Sequence, residues 1–424
     1  MRLENGSQVA IVGGGPSGSF TALHLLQQAA DANLDIKVTI FEARDFCRAG
    51  PGGCNKCAGI LSSALMHNLK QLDLEIPLEV IQAELDTYVL HAGKSQLPIH
   101  LPDPGRKIIS VYRGGGPLKG SKPYPASFDF WLQDQALLRG AEIRKTRVQM
   151  IKMAPYPQVI TPREALKADL VVLATGVNSR LRLDPALEYQ PPRTEVMAQD
   201  EIPLPTKDLD NKIHIYFDYP AGLIFGGLIP KGRYTSVSLL GHHLEHDAVK
   251  QFLHYNGYSA VLPEATASLC GCTPRVAVTT AKGIFSDRFV VVGDAAVTRL
   301  YKDGIGSAFL TAEAAAKTAV RRGISRHDFE VGYEPACQQI SQDNFYGKLL
   351  FRLWTLVRQS QPIQKIWIRA IRNEERLPPK KRIHTFILWG MFTGDASYRK
   401  MFWQLFSLLS WAGLFRGITL GRDR

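Results

Sequence analysis

No stretch of about twenty consecutive apolar residues occurs in this chain, so no segment is expected to span a bilayer. Met1-Arg2-Leu3-Glu4-Asn5-Gly6 leads almost directly into the first apolar run, and no secretory leader fits there. Cysteine is scarce, with six among 424 residues. Without a leader, that usage points to a reducing compartment, and a cytoplasmic protein is expected. Acidic residues are also in short supply, 39 against 51 Lys and Arg, for a formal charge of +12. A basic balance suits an anionic partner such as a membrane surface, an acidic protein or a phosphorylated substrate. No nucleic-acid-binding motif accompanies the charge, and no nucleic acid partner is expected. Internal repeats and low-complexity tracts are absent. With 45% hydrophobic and 21% charged residues, the chain has the composition of a globular protein long enough for two or three domains.

The most informative stretch is Val9-Ala10-Ile11-Val12-Gly13-Gly14-Gly15-Pro16-Ser17-Gly18. Val9 to Val12 reads as a strand buried on both faces. Gly13, Gly15 and Gly18 stand at G-x-G-x-x-G spacing: a tight turn, a close approach for a pyrophosphate, and close helix–strand packing. Pro16 and Ser17 open the following helix, whose free amides would face phosphates, and Ser17 is there for size and hydrogen bonding. Phe20, Leu23, Leu25 and Leu26 give that helix an apolar stripe. A second strand, Val38-Thr39-Ile40-Phe41, ends at Glu42 and Ala43, where an acidic residue can bind a ribose hydroxyl.

Further along, residues 47–59 form a glycine- and cysteine-rich loop, a candidate gate, and Ile60 onward is expected to resume a helix. Residues 76–102 read as strands, 108–113 as a strand, 114–126 as a flexible loop and 128–139 as a helix. A strand-like unit from 140 reaches Val148. Residues 168–173 form a buried strand that ends in the small turn Ala174-Thr175-Gly176. Between about 190 and 275 strand signals dominate, at 212–219, 223–229 and 234–240, as expected for an inserted second sheet. Nucleotide-domain chemistry then returns with Val290-Val291-Val292-Gly293-Asp294 and Gly304-Ile305-Gly306, followed by an alanine-rich helix. From about 326 the chain reads as helical.

The first fingerprint, the Ala-Thr-Gly turn and the late Gly-Asp segment together resemble the glutathione-reductase-like FAD enzymes of the p-hydroxybenzoate-hydroxylase class. Within that class the chain most resembles the geranylgeranyl reductase family. Lys56-Cys57-Ala58-Gly59-Ile60 stands where that family has a Lys/Pro-Cys-Gly-Gly-like segment, and the likeness covers roughly residues 8–320. It implies an α/β fold: a Rossmann-like FAD-binding domain from 1–75, 105–190 and 276–325, an inserted antiparallel β-sheet substrate domain from 76–104 and 191–275, and a helical C-terminal region, 326–424. It also implies that Asp294 accepts from the ribityl hydroxyls and that the amides of Gly304, Ile305 and Gly306 face the flavin pyrimidine edge. Arg113, Val148, Ala58, Gly59 and the 174–176 turn would contact FAD, with Gly293 positioning Asp294. Cys57 and Lys302 are the candidate catalytic residues. The implied activity is reduction of C=C bonds in a lipophilic prenyl substrate, with NAD(P)H or an acidic carrier such as a ferredoxin as donor. An oxygen-dependent monooxygenase or halogenase of the same fold is the alternative, and a non-catalytic FAD-stabilised scaffold is a third reading. Two departures stand out. Leu300-Tyr301-Lys302-Asp303-Gly304 lacks the family's proline, so Lys302 faces either the flavin edge or water. In Phe225-Gly226-Gly227-Leu228-Ile229-Pro230 the family's tryptophan position is Gly227.

Cys54-x-x-Cys57 and Cys270-x-Cys272 admit a metal site, a redox disulfide or ordinary thiols; ordinary thiols weigh most, and no metal is expected. His242-His243-Leu244-Glu245-His246 lacks the H-E-x-x-H order of zinc proteases. In the tail, 401–415 carries no charge, with Arg369, Arg372, Arg376, Lys380, Lys381 and Arg382 upstream. This suits either a helix lying on a membrane surface or one packed on the substrate domain as the wall of a lipid tunnel.

Overall fold

The computed structural model describes residues 1–53, 57–92, 95–101, 107–117, 126–178, 181–245, 247–261 and 271–419. With strands numbered along the chain, the first apolar run becomes the centre of a six-stranded sheet. Its spatial order is β19 (Phe285–Ser286), β20 (Phe289–Val291), β12 (Leu170–Leu173), β1 (Ser7–Val12), β2 (Ile36–Phe41) and β8 (Glu142–Arg144). All neighbours pair in parallel except the edge hairpin β19–β20. Val9 sits opposite both Leu170 and Val38, so three apolar runs are in register. Such runs are stable only when covered on both faces. Helices α1 (Pro16–Asp31), α3 (Phe128–Leu138) and α5 (Gly304–Arg321) belong to this core. Phe20 of α1 meets Phe309 of α5 edge-to-face at 5.2 Å between centroids.

The inserted sheet has seven strands, in the order β18 (Arg275–Ala277), β14 (Thr194–Ile202), β17 (Tyr234–Gly241), β16 (Leu223–Lys231), β15 (Ile213–Tyr216), β5 (Thr87–Ala92) and β6 (Ser95–His100). It is antiparallel apart from β15–β5, where the earlier chain segment joins the later one in parallel. Period-two alternation gives the sheet two apolar faces. Helix α4 (Ala248–Tyr255) covers one, against Tyr216, Leu228 and Leu239. The other face carries Phe217, Phe225 and Ile229 and packs on the C-terminal helices. These are α7 (Glu334–Gln359), α8 (Gln361–Glu374), α9 (Ile383–Thr393), α10 (Tyr398–Gln404) and α11 (Leu408–Thr419), with the short α6 (Arg326–Gly332) leading in from α5.

Two expectations need correction, and one sheet has no counterpart in the sequence pattern. Residues 60 and 61 do not begin a helix: they form β3 (Ile60–Leu61), paired with β7 (Ile108–Val111), and helix α2 (Ser63–Leu69) starts where the Ser62 hydroxyl caps the Leu65 amide. Strand β4 (Ile81–Leu85) does not join the inserted sheet but pairs with the other edge of β7. A four-stranded sheet, β11 (Ala165–Lys167), β10 (Gln158–Ile160), β9 (Met150–Lys152) and β13 (Arg182–Leu183), arises from runs of two or three residues, too short to register as a pattern.

Candidate functional site

The glycine turn is fixed by backbone sterics. Gly13 has φ +108°, and a Cβ built there would lie 2.5 Å from the Ala174 carbonyl oxygen. A Cβ on Gly18 would lie 1.8 Å from the Gly13 oxygen. Helix and strand therefore touch through glycines, and the 174–176 turn closes over Gly13. The start of α1 is bare: Gly15 provides no side-chain cap, and the first turn has no acidic residue. By contrast, α2, α3, α6 and α10 all start with a capping serine. An uncapped helix N-terminus behind a glycine turn is a ready anion cradle.

Glu42, buried at the end of β2, accepts the Gly14 amide at 3.0 Å and the Arg44 amide at 2.8 Å, while Ala43 is exposed beside it. The Gln133 side-chain amide donates to the Gly14 carbonyl at 2.9 Å. Gln133 was not expected from the sequence, and neither was Asp129. Their i, i+4 spacing on α3, facing the glycine turn, was the available signal. Asp129 takes Arg113 in a two-point pair, Nε to Oδ1 and Nη2 to Oδ2 at 2.8 Å each. Val148 is buried in the same core beyond β8.

The late segment meets the first turn directly. A Cβ on Gly293, at φ +65°, would lie 1.9 Å from the Ser17 hydroxyl oxygen. That contact brings Asp294 beside the glycine turn. Burial pushes the Asp294 carboxyl up, opposed by Thr298 and by the charge of Arg113. Cys57 lies within hydrogen-bonding reach of Arg113 and within the electrostatic field of Lys302. Its sulfur accepts the Gly59 amide at 3.4 Å, and Gly59, at φ +71°, would place a Cβ 2.0 Å from the Val111 oxygen. Cys57, Arg113, Asp294 and Lys302 thus form one cluster, assembled from three separate chain segments.

Lys302 is half-buried and turned towards aromatic rings. Its Nζ lies 4.3 Å from the Phe225 ring centroid and 5.9 Å from that of Phe392, against the substrate sheet and α9. Burial lowers its pKa to about 8, with the nearby Cys57 opposing. The mouth of α5 also differs from expectation. The amide of Gly306 is already held by the carboxylate of Asp303, which caps the helix from a left-handed conformation at φ +56°. Burial raises Asp303 to about 7, against the pull of Arg299. Ile305 is buried in the core of the nucleotide domain, and a Cβ on Gly304 would lie 3.3 Å from the Asp294 carboxylate.

A Cβ on Gly227 would make only ordinary contacts, 3.4 Å to Ile215 and 3.8 Å to Ile229. Here the sheet wall is aliphatic. Phe225, Phe217 and Phe392 supply the aromatic surface, with Phe217 and Phe392 at 5.9 Å and Phe225 and Phe392 at 6.2 Å.

The cysteine segments approach each other through Gln199. Its backbone amide donates to the Cys272 carbonyl at 2.9 Å, and its side chain donates to the Cys57 carbonyl at 3.0 Å. Cys54, Lys56, Cys270 and His246 lie outside the described residues. Among the described residues, no group of three or more His, Cys, Asp or Glu is placed to hold a metal ion.

Residues 10–61 match a family model described as FAD-NAD(P)-binding. No curated protein matches the sequence. Among solved structures, the chain is similar to a geranylgeranyl bacteriochlorophyll reductase-like protein from Thermoplasma acidophilum, at 15% identity and a TM-score of 0.61, covering 95% of this chain and 96% of that one. It is also similar to a flavoprotein/dehydrogenase from Cytophaga hutchinsonii, at 16% identity and a TM-score of 0.62, covering 93% and 98%. A flavin-dependent halogenase, CmlS, matches at 19% identity and a TM-score of 0.53, covering 94% of this chain and 76% of that one. The bare amide end of α1, the acid at the end of β2 and the Gly-Asp segment against Ser17 fit a stretched dinucleotide, as the FAD-NAD(P)-binding match does, and the chain shares the fold of these flavoproteins.

Proposed function

We propose that this protein reduces carbon–carbon double bonds of a lipophilic, prenyl-type substrate. The observation that carries the reading is the position of Lys302 and Cys57. They lie where the dinucleotide apparatus meets the apolar wall of Phe225, Phe217 and Phe392. FAD, when bound and reduced, would supply the hydride chemistry. The chain's own residues supply the rest. The α1 amides and the Asp129–Arg113 pair orient the cofactor side, and the aromatic wall excludes water from an apolar chain. Lys302 holds a proton on Nζ at neutral pH and, with a pKa near 8, can release it to a carbon of the double bond. Cys57 is the second candidate donor, and either group is reprotonated from solvent. The reductase-like neighbour and the Cys57 segment support this chemistry. The charge of +12 suits an acidic electron carrier as donor, with NAD(P)H the other candidate.

The test is turnover without oxygen. The flavin-loaded protein is reduced chemically and mixed anaerobically with geranylgeranyl lipids, and the products are followed by mass spectrometry. Gain of two hydrogens per double bond is expected. A product that forms only with oxygen, carrying an added oxygen or halogen atom, overturns the reading in favour of a monooxygenase or halogenase. A reduced flavin that stays idle with every lipid offered leaves the scaffold reading.

A further inference from the structure

Helix α11 is docked by its small residues and presents its large apolar ones to solvent. Ser410 is fully buried, with its hydroxyl 3.3 Å from His384 Nε2. A Cβ on Gly413 would lie 2.9 Å from His384 Cε1, and one on Gly417 would lie 2.9 Å from the Ile366 carbonyl oxygen. On the opposite side Leu408 is 89% exposed, Trp411 49%, Phe415 61% and Ile418 44%. Trp403 and Phe406, just before the helix, are exposed as well. A contiguous apolar surface of this kind marks an interaction face.

Cations flank it. Lys365, Arg372, Arg376, Lys380 and Lys381 are exposed on α8, which packs against α11, and on the turn that follows. The buried Glu374–His384–Ser410 chain, with bonds of 2.7 and 3.3 Å, ties that basic segment to α11. No helix among the described residues is long and apolar enough to cross a membrane, and α11 has only 12 residues.

We infer that α11 lies in the headgroup region of an anionic lipid bilayer, with its Leu408–Trp411–Phe415–Ile418 face inserted and the flanking cations on the phosphates. Charge selects this occupant. A second copy docked on the same face would set the two basic rims against each other, whereas an anionic bilayer neutralises them. Tryptophan beside aliphatic side chains and a basic rim is the composition of an interfacial helix. The inference is independent of the reductase reading, because it concerns where the protein sits and not what it reduces.

The test is sedimentation of the full-length, flavin-loaded protein with vesicles of phosphatidylcholine alone or mixed with phosphatidylglycerol, at low and high salt. Binding is expected only to the mixed vesicles, weakened by salt. The double variant W411S/F415S changes exposed side chains, so its melting temperature should equal that of the wild type. Its vesicle binding should fall at least tenfold. The charge reversal K380E/K381E should weaken binding to mixed vesicles with the fold retained. The inference is overturned if the wild type ignores mixed vesicles, if it binds neutral ones equally well, or if W411S/F415S instead abolishes self-association measured by light scattering.

Discussion

At the residue scale, two positions separate cofactor geometry from chemistry. Gly18 has no room for any side chain: a Cβ there would overlap the Gly13 carbonyl oxygen at 1.8 Å, a backbone atom that cannot swing away. Gly18→Ala should push α1 off β1 and yield protein that purifies without bound flavin; absorbance in the visible range checks this. Lys302 tests the proton. Its pKa is depressed by burial to about 8, so the ammonium form is lost as pH rises through that value. Turnover should therefore fall above pH 8. Lys302→Met should abolish most activity and remove that limb, and Lys302→Arg, which keeps the charge but cannot release a proton, should lose most activity as well. Stability carries the opposite sign. Below about pH 8 the folded protein bears the cost of a buried cation. That cost is relieved as pH rises towards the unfolded lysine value, so the wild type should gain stability there relative to Lys302→Met.

At the element scale, the C-terminal helices depend on one buried carboxylate. Helix α9 has no side-chain cap of its own. Glu374, from the end of α8, replaces it, accepting the His384 and Thr385 amides at 2.8 and 2.9 Å and the Thr385 hydroxyl at 2.9 Å. The His384 ring completes the set at 2.7 Å and reaches on to Ser410 of α11. Burial pushes the Glu374 carboxyl up, but the hydrogen bonds from His384 and Thr385 outweigh it and hold the group below the ordinary range. Its stabilisation is present above the usual glutamate pKa and is lost as pH falls through the depressed value. Glu374→Gln, similar in shape, should cost about 1–3 kcal/mol and flatten that acid limb in thermal melts. Proteolysis should then cut first between α9 and α11.

At the scale of the whole molecule, two of the three apolar cores meet where the candidate site lies. One belongs to the six-stranded sheet, and the other two lie on opposite faces of the seven-stranded sheet. The site draws on the first two, so a ligand across the junction links them. A dinucleotide at a hundredfold excess over its dissociation constant should stabilise the fold by about 2.7 kcal/mol. Stripping the flavin should lower the melting temperature, and adding FAD back should restore it in a concentration-dependent way. Failure of FAD to shift the melt would remove the basis of the site.

The nucleotide half is legible in the residues alone. G-x-G-x-x-G between an apolar run and a helical stripe leaves little freedom, because glycine sterics and strand burial act over a few residues. The strands of the inserted sheet were legible for the same reason: residues two apart share a face whatever the strand pairs with. Contacts between partners distant along the chain come from the fold and not from the pattern. Nothing near Lys302 in sequence says that its ammonium meets Phe225 and Phe392, or that Asp303 takes the Gly306 amide before a cofactor can. The tail shows this most clearly. Its uncharged run, 401–415, fits either a lipid surface or a packed wall, and the fold buries Met401 of α10 in the core beneath the inserted sheet while it turns the large side chains of α11 outward. A hydrophobic pattern records how much surface an element would bury, whereas the packing of the remaining helices decides which face is left uncovered.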